Sequence, residues 1–241
     1  MISNLSIKNK LMLLVIIPLI IVVLSTAKLL HSSYSRVTEL NALDKIVILS
    51  TKIGALVHET QKERGMTAGF VGSKGKKFVE KLPKQRKLVD SKRKDFFNEL
   101  KIVDINSYSK EFASNMDLMI NKLDKLDALR NKVSSLDIKG SDAIAFYTNF
   151  NALSLNAISS ITKLSNDAEV SQDLVSYMNF LLSKERAGVE RAVLTNTFAR
   201  DNFSNGMKEK FFTLVAQQNA YMDSFLKVAR DNAASFYKKT L

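Results

Sequence analysis

The sequence predicts an all-α fold, an elongated antiparallel bundle of about six long helices with an N-terminal transmembrane helix. Three observations predict it. Only 2 Pro and 8 Gly punctuate 241 residues, so the turn signals of a strand-rich chain are missing. Apolar residues recur at helical spacing along most of the chain. One run near the N-terminus is apolar over about the 20 residues that a bilayer core requires. An apolar share of 46% suffices for one extended core, so one folded domain plus an anchor is expected. Cys is absent, which excludes disulfides, thiolate catalysis and thiolate zinc sites and leaves stability to packing.

The anchor is Leu11 to Ala27, extended past Lys28 by Leu29 and Leu30, with Lys28 able to snorkel. Pro18 lies inside it and is tolerated there more readily than in a water-soluble helix. A cleaved signal peptide ending near Ser25-Thr26-Ala27 is the alternative, but the helical pattern runs on from Lys28 without a break. Lys8 and Lys10 favour a cytoplasmic N-terminus, and Lys28 and Arg36 on the far side weaken that vote. The expected division is residues 1–10 as a cytoplasmic N-terminus, 11–30 as the membrane helix and 31–241 as a helical domain on the far side of the membrane.

From Val37 to Val71, Ile46, Leu49, Ile53, Leu56, Val57, Ala68 and Val71 mark one long helix, continuous in pattern with the anchor and able to carry a displacement into the membrane. It ends at Gly72-Ser73-Lys74-Gly75. A basic second helix follows from about Lys76 to Lys101, with Pro83 bending it or delaying its start. The third spans about Tyr108 to Ser134 on a stripe of Phe112, Met116, Met119, Leu123 and Leu126. Ser141 or Asp142 caps a fourth that runs to about Leu164, and the Asn166 to Glu169 cluster breaks it. The fifth covers about Ser171 to Phe198. After a turn at Asn202 to Gly206, the sixth runs from about Met207 to Tyr237.

The formal charge of +12 points to an anionic partner. Between Lys62 and Lys94, twelve basic residues face only Glu63, Glu80 and Asp90. Phe70 and Phe78 alone interleave them, too few aromatics for a single-strand groove, so no nucleic acid is expected. A solvated basic face near lipid headgroups or a partner suits this stretch better.

Two segments carry the chemistry: Gln61-Lys62-Glu63-Arg64-Gly65, and Lys184-Glu185-Arg186-Ala187-Gly188-Val189-Glu190-Arg191-Ala192. Ile53, Val57, Thr60, Arg64, Ala68 and Val71 share one helical face, which places Arg64 in line with the core. Arg191 is expected to do the same on a face with Tyr177, Phe180, Ala187, Leu194 and Phe198. Small neighbours at Gly65, Ala187, Gly188 and Ala192 let two backbones approach. A guanidinium is planar and always charged and offers a fork of donors, which suits a small flat oxyanion such as nitrate. Gln61 can add an amide donor, while Glu63, Glu185 and Glu190 either neutralise the empty site or orient the filled one. Arg and Glu at such spacings also make ordinary ion pairs, and spacing alone leaves that reading open.

No enzyme, metal or cofactor is expected. His58-Glu59-Thr60-Gln61-Lys62 lacks the second His of a zinc protease helix, and Gly72-Ser73-Lys74-Gly75-Lys76 lacks the P-loop spacing. His31 has no evident partner.

The run Val57 to Phe70, Gln85-Arg86 and the run Lys184 to Leu194 resemble the NIT domain, the nitrate- and nitrite-sensing domain of bacterial chemoreceptors, histidine kinases and cyclases and of a transcription antiterminator. The resemblance spans about Ile46 to Tyr237. It implies an all-helical bundle with nitrate or nitrite held between arginines of the first helix and a late one. Arg64 and Arg191 are the first choices by motif, and Arg186 is next. It also implies a homodimer and a sensing role in chemotaxis or other signal transduction. The resemblance also makes residues 31–241 a sensor domain in the periplasm, outside the bacterial inner membrane. Receptors of this kind usually return through the membrane into an output module, whereas this chain stops at Leu241, as a fragment, a truncated gene product or an accessory protein would; only a complete chain calls for a signalling partner. The alternative is a structural or interaction bundle tethered to the membrane, with its basic helix facing lipid or a partner.

Overall fold

A computed structural model describes residues 6–165, 167–203 and 205–240. The expected N-terminal stretch before Ser6, Asn166 in the fourth connection and Ser204 in the last turn lie outside the described residues. Among the described residues the regular elements are α1 (Ile7–Gly72), α2 (Lys81–Leu100), α3 (Lys110–Leu123), α4 (Leu126–Ser134), α5 (Gly140–Ile161), α6 (Ala168–Arg200), α7 (Met207–Val228) and α8 (Asp231–Thr240), with a 3-10 turn at Ile105–Ser107. The fold is an all-α helical bundle, as the periodicity requires.

The chain divides into two units, Met1–Asp44 and Lys45–Leu241. In the first, α1 holds a stretch long and apolar enough to cross a membrane, and Leu14 and Leu30 are each 71% exposed. Near the end of that stretch, Thr26 Oγ1 donates to the Val22 carbonyl at 2.9 Å, so its hydroxyl is satisfied within the helix.

In the second unit, Ile46, Leu49, Ile53, Leu56 and Val57 of α1 form one wall of a core completed by Phe96, Phe112, Met116, Met119, Tyr147 and Phe150. Successive long helices run antiparallel. Arg86 and Arg93 of α2 meet Ser134 and Asp127 at opposite ends of α4. Lys122 of α3 lies over Phe146, whereas Lys163 beyond α5 reaches back to Glu111. Gln172 and Ser183 of α6 bind the Val228 and Gln218 carbonyls of α7. Four successive reversals leave α1 and α6 running the same way, Gly54 against Tyr177 and Arg64 against Gly188.

Several boundaries differ from expectation for local reasons. The second helix begins at Lys81, not Lys76, because Lys74, Gly75 and Phe78 adopt positive φ. That backbone turns the Phe78 ring onto α1 at Gly69, where a Cβ would stand only 2.3 Å from Cε2. Pro83 falls in the first turn of α2, where its missing N–H would have no helical partner anyway. Lys139, without a side-chain cap, starts α5 in place of Ser141 or Asp142. Asp167 caps α6 by accepting from the Glu169 and Val170 amides, so the fifth helix starts before Ser171. The third helix is interrupted at Asp124 and Lys125. The sixth is broken at Ala229 and Arg230, where the extended Ala229 lets Arg230 pair with Glu169 and Asp173 of α6.

Candidate functional site

The core stripe of α1 does not end with its apolar residues. Thr60, Glu63, Arg64 and Thr67 continue it at helical spacing and are all buried, with Glu63 at 0% and Arg64 at 2% exposure. Burying two opposite charges one residue apart requires a partner for each, since an unpaired interior ion costs several kcal/mol. The partners come from different helices.

Arg64 turns to α6. Its Nη1 lies 2.5 Å from Glu185 Oε1 and its Nη2 3.5 Å from Oε2. Nη1 also donates to Thr148 Oγ1 of α5 at 3.1 Å. Glu185, 4% exposed, accepts further from Gln61 Nε2 at 2.7 Å and Asn151 Nδ2 at 3.2 Å. Asn151 is itself held through Oδ1 by the Thr60 hydroxyl at 2.7 Å. Gly188, one turn after Glu185, leaves the space that the guanidinium fills: a Cβ there would stand 2.8 Å from Arg64 Nη2.

Glu63 turns the other way. Arg130 of α4 donates to both its oxygens, and Tyr147 of α5 donates its hydroxyl at 2.8 Å. Burial opposes the charge on Arg130, but bonds to Glu63 and Asp90 outweigh it and raise the guanidinium pKa. Burial and the Glu63 charge hold the Tyr147 phenol well above its usual range. Arg86 lies 3.6 Å from Glu63, and Gln85 donates to the Glu59 carbonyl and carboxylate, so the Gln85-Arg86 pair seats α2 on α1.

The remaining expected residues are placed differently. Arg191 is exposed, against the expectation that it points inward. The stripe of α6 that is buried or meets α1 is Leu174, Met178, Leu181, Glu185 and Gly188, and three residues further on is ~60° short of a full turn. Arg191 therefore shares the outer face with Lys184, and both influence His58 of α1. Lys184 Nζ lies 2.7 Å from His58 Nδ1; an ammonium only donates, so the imidazole accepts and is neutral. Burial first, then the Lys184 charge, lowers the His58 pKa, and burial lowers that of Lys184. Arg186 faces α7, 5.9 Å from the Tyr221 ring centre, and its buried Nε has no hydrogen bond among the described residues. Glu190 is half-buried, with no ion pair among the described residues.

Sequence reasoning thus found Arg64, Gln61 and Glu185, which the structure brings together, and assigned Glu63 a place near the arginines without identifying Arg130. It missed Arg130, Tyr147, Thr148 and Asn151. The signal was present: Leu126, Leu129, Arg130 and Val133 are spaced as one helical face, and so are Ala143, Tyr147, Phe150, Asn151 and Ser154.

Comparison with known proteins gives this geometry a context. The protein family described as "Nitrate and nitrite sensing" (NIT) matches residues 55–241. The nitrate regulatory protein of Klebsiella oxytoca is 26% identical over 192 residues, covering 80% of this chain and 48% of the relative. The chain thus spans about half the length of that curated relative. Among solved structures, that of the NasR transcription antiterminator is similar with a TM-score of 0.82 at 23% identity, covering 89% of this chain and 58% of that one, a likeness of fold.

Proposed function

This chain belongs to the nitrate- and nitrite-sensing (NIT) family, and from that premise we propose that it is the membrane-anchored sensor of a signalling protein, with the anion bound at Arg64 between α1 and α6. Arg64, 2% exposed, carries the proposal, because its fork already grips a flat carboxylate from α6 beside the Gln61 amide. A planar monovalent oxyanion presents the same acceptors. Gln61 donates to the bound anion. Arg191 and Arg186 supply further charge from α6 once that helix turns or slides, and Glu63, Glu185 and Glu190 neutralise the arginines while no anion is bound.

In this reading, residues 1–10 are cytoplasmic, 11–30 cross the bacterial inner membrane and 31–241 lie in the periplasm as one half of a homodimer. Binding changes the seating of α1 against α6, and α1 passes a small displacement toward its apolar segment, for chemotaxis or another signalling output.

Thermal melting of the full chain in detergent tests the binding step, because a ligand of the folded state raises the midpoint. Nitrate or nitrite is expected to raise it more than chloride or sulfate at equal ionic strength, and Arg64→Ala to abolish the difference. Equal responses to all four anions would overturn the proposal.

A second reading has one observation behind it. Lys81, Lys84, Lys87 and Lys94 of α2 are all exposed, a basic face suited to anionic lipid or an acidic partner. It predicts salt-sensitive binding to anionic vesicles that Arg64→Ala leaves intact.

A further inference from the structure

We infer that Glu185 is a tethered occupant of the anion site, a carboxylate that an incoming oxyanion must displace before the site can be filled. The inference rests on the reading that the anion binds at Arg64.

Four donor atoms from two helices converge on this one carboxylate: Arg64 Nη1 and Nη2 and Gln61 Nε2 from α1, and Asn151 Nδ2 from α5. None of the four belongs to the helix that carries Glu185. The orientation of the nest does not depend on Glu185 either. The Thr60 hydroxyl fixes Asn151 through Oδ1, which leaves Nδ2 aimed at the carboxylate, and Thr148 receives Nη1 of Arg64 independently. Thr60 and Asn151 are fully buried, so this support is rigid.

A surface carboxylate is usually satisfied by one cation and water. This one is 4% exposed and held by three side chains, as a bound planar monoanion would be. Nitrite has the same two-oxygen outline as a carboxylate, and nitrate adds one oxygen in the same plane. A nest built for either fits the carboxylate of Glu185, and the two cannot occupy it together, since their negative charges would meet in a poorly solvated interior.

Two consequences follow from competition. The apparent affinity for a free anion is the intrinsic affinity reduced by the fraction of time Glu185 is out, which sets the sensing threshold. Filling the site also expels a side chain of α6 from a contact with α1 and α5, so occupancy and the seating of α6 are coupled by steric exclusion. Lys184 already lies within electrostatic range of Glu185, and Arg191 stands on the same outer face, so cations await the expelled carboxylate.

Calorimetric titration of the full chain in detergent with sodium nitrate and sodium nitrite tests this in wild type, Glu185→Gln, Glu185→Ala and Arg64→Ala. Removing the competing charge is expected to tighten binding by about tenfold or more in Glu185→Gln, with unchanged helicity. Binding seen only in Glu185→Gln would support the same conclusion. Equal or weaker binding in Glu185→Gln, with binding in wild type lost on Arg64→Ala, would overturn this inference and leave the anion site standing. No binding in any of the four proteins would overturn both. A second measurement uses formate and acetate as free carboxylates. They are expected to raise the melting point of Glu185→Ala more than that of wild type, and equal responses would contradict a tethered occupant.

Discussion

Arg130 donates through Nε and Nη2 to the two oxygens of the Glu63 carboxylate, each at 2.8 Å, where Glu63 has no exposure. This bidentate pair ties α4 to α1 on the side away from α6. Glu63 and Arg64 are adjacent in sequence, yet one is committed to α4 and the other to α6. Arg130→Ala strands a buried carboxylate, and the expected loss is about 3–5 kcal/mol of unfolding free energy in urea. Adding Glu63→Leu in the same chain should recover only part of that loss, because it removes the stranded carboxylate but also takes the partner from Arg86 and from the Tyr147 hydroxyl.

Gly188→Ala separates binding from folding. The added methyl would press on Arg64 Nη2, 2.8 Å away, and turn the fork out of line. Replacing a helical Gly also gains up to about 1 kcal/mol of stability. The expected result is a chain of equal or higher urea midpoint whose nitrate affinity, by calorimetry, falls several-fold. Unchanged affinity would mean that the fork has slack.

The His58 imidazole is held below its ordinary value of 6.5 by burial and by Lys184. The unfolded chain then binds the proton more readily than the folded one, so stability is complete above 6.5 and falls as the pH drops through that value and below it. Glu59 acts in another window. Burial pushes its pKa up, but hydrogen bonds from Lys62 and Gln85 outweigh this and leave it below the usual 4.5, so its contribution is lost only in more acid solution. The melting point is expected to fall as the pH drops through 6.5 and below, and His58→Gln to flatten that part of the profile.

Membrane attachment is checked by alkaline carbonate extraction of cells expressing the full chain. The chain is expected to stay with the membranes. Val22→Arg puts a charge in the middle of the apolar stretch at a cost of about 2.5–3.5 kcal/mol, and it should release a measurable fraction.

The fold was largely legible because six apolar stripes with helical period leave little freedom. The interruption at Asp124 and Lys125 was not, since Leu123 and Leu126 keep helical spacing across it and are both buried. Nor was the break at Arg230, whose cause is a long-range pairing with Glu169 and Asp173. Arg64 was legible from the stripe on its own helix. Arg191 was misplaced because Tyr177, Arg191 and Phe198 on the expected face stand at multiples of seven, which drift ~20° per seven residues on a straight helix. Phe198, at the end of that series, is 76% exposed. Arg130 obeys the rule that found Arg64, but its carboxylate partner lies 67 residues away in the chain, beyond what local spacing can pair.

The central claim is that nitrate or nitrite is held by the Arg64 fork, and a crystal structure of the full chain grown with nitrate tests it most directly. The account predicts flat trigonal density within about 3 Å of the Arg64 guanidinium nitrogens and of Gln61 Nε2, with the Glu185 side chain swung away. Nitrate bound elsewhere, with Arg64 and Glu185 still paired, would contradict it.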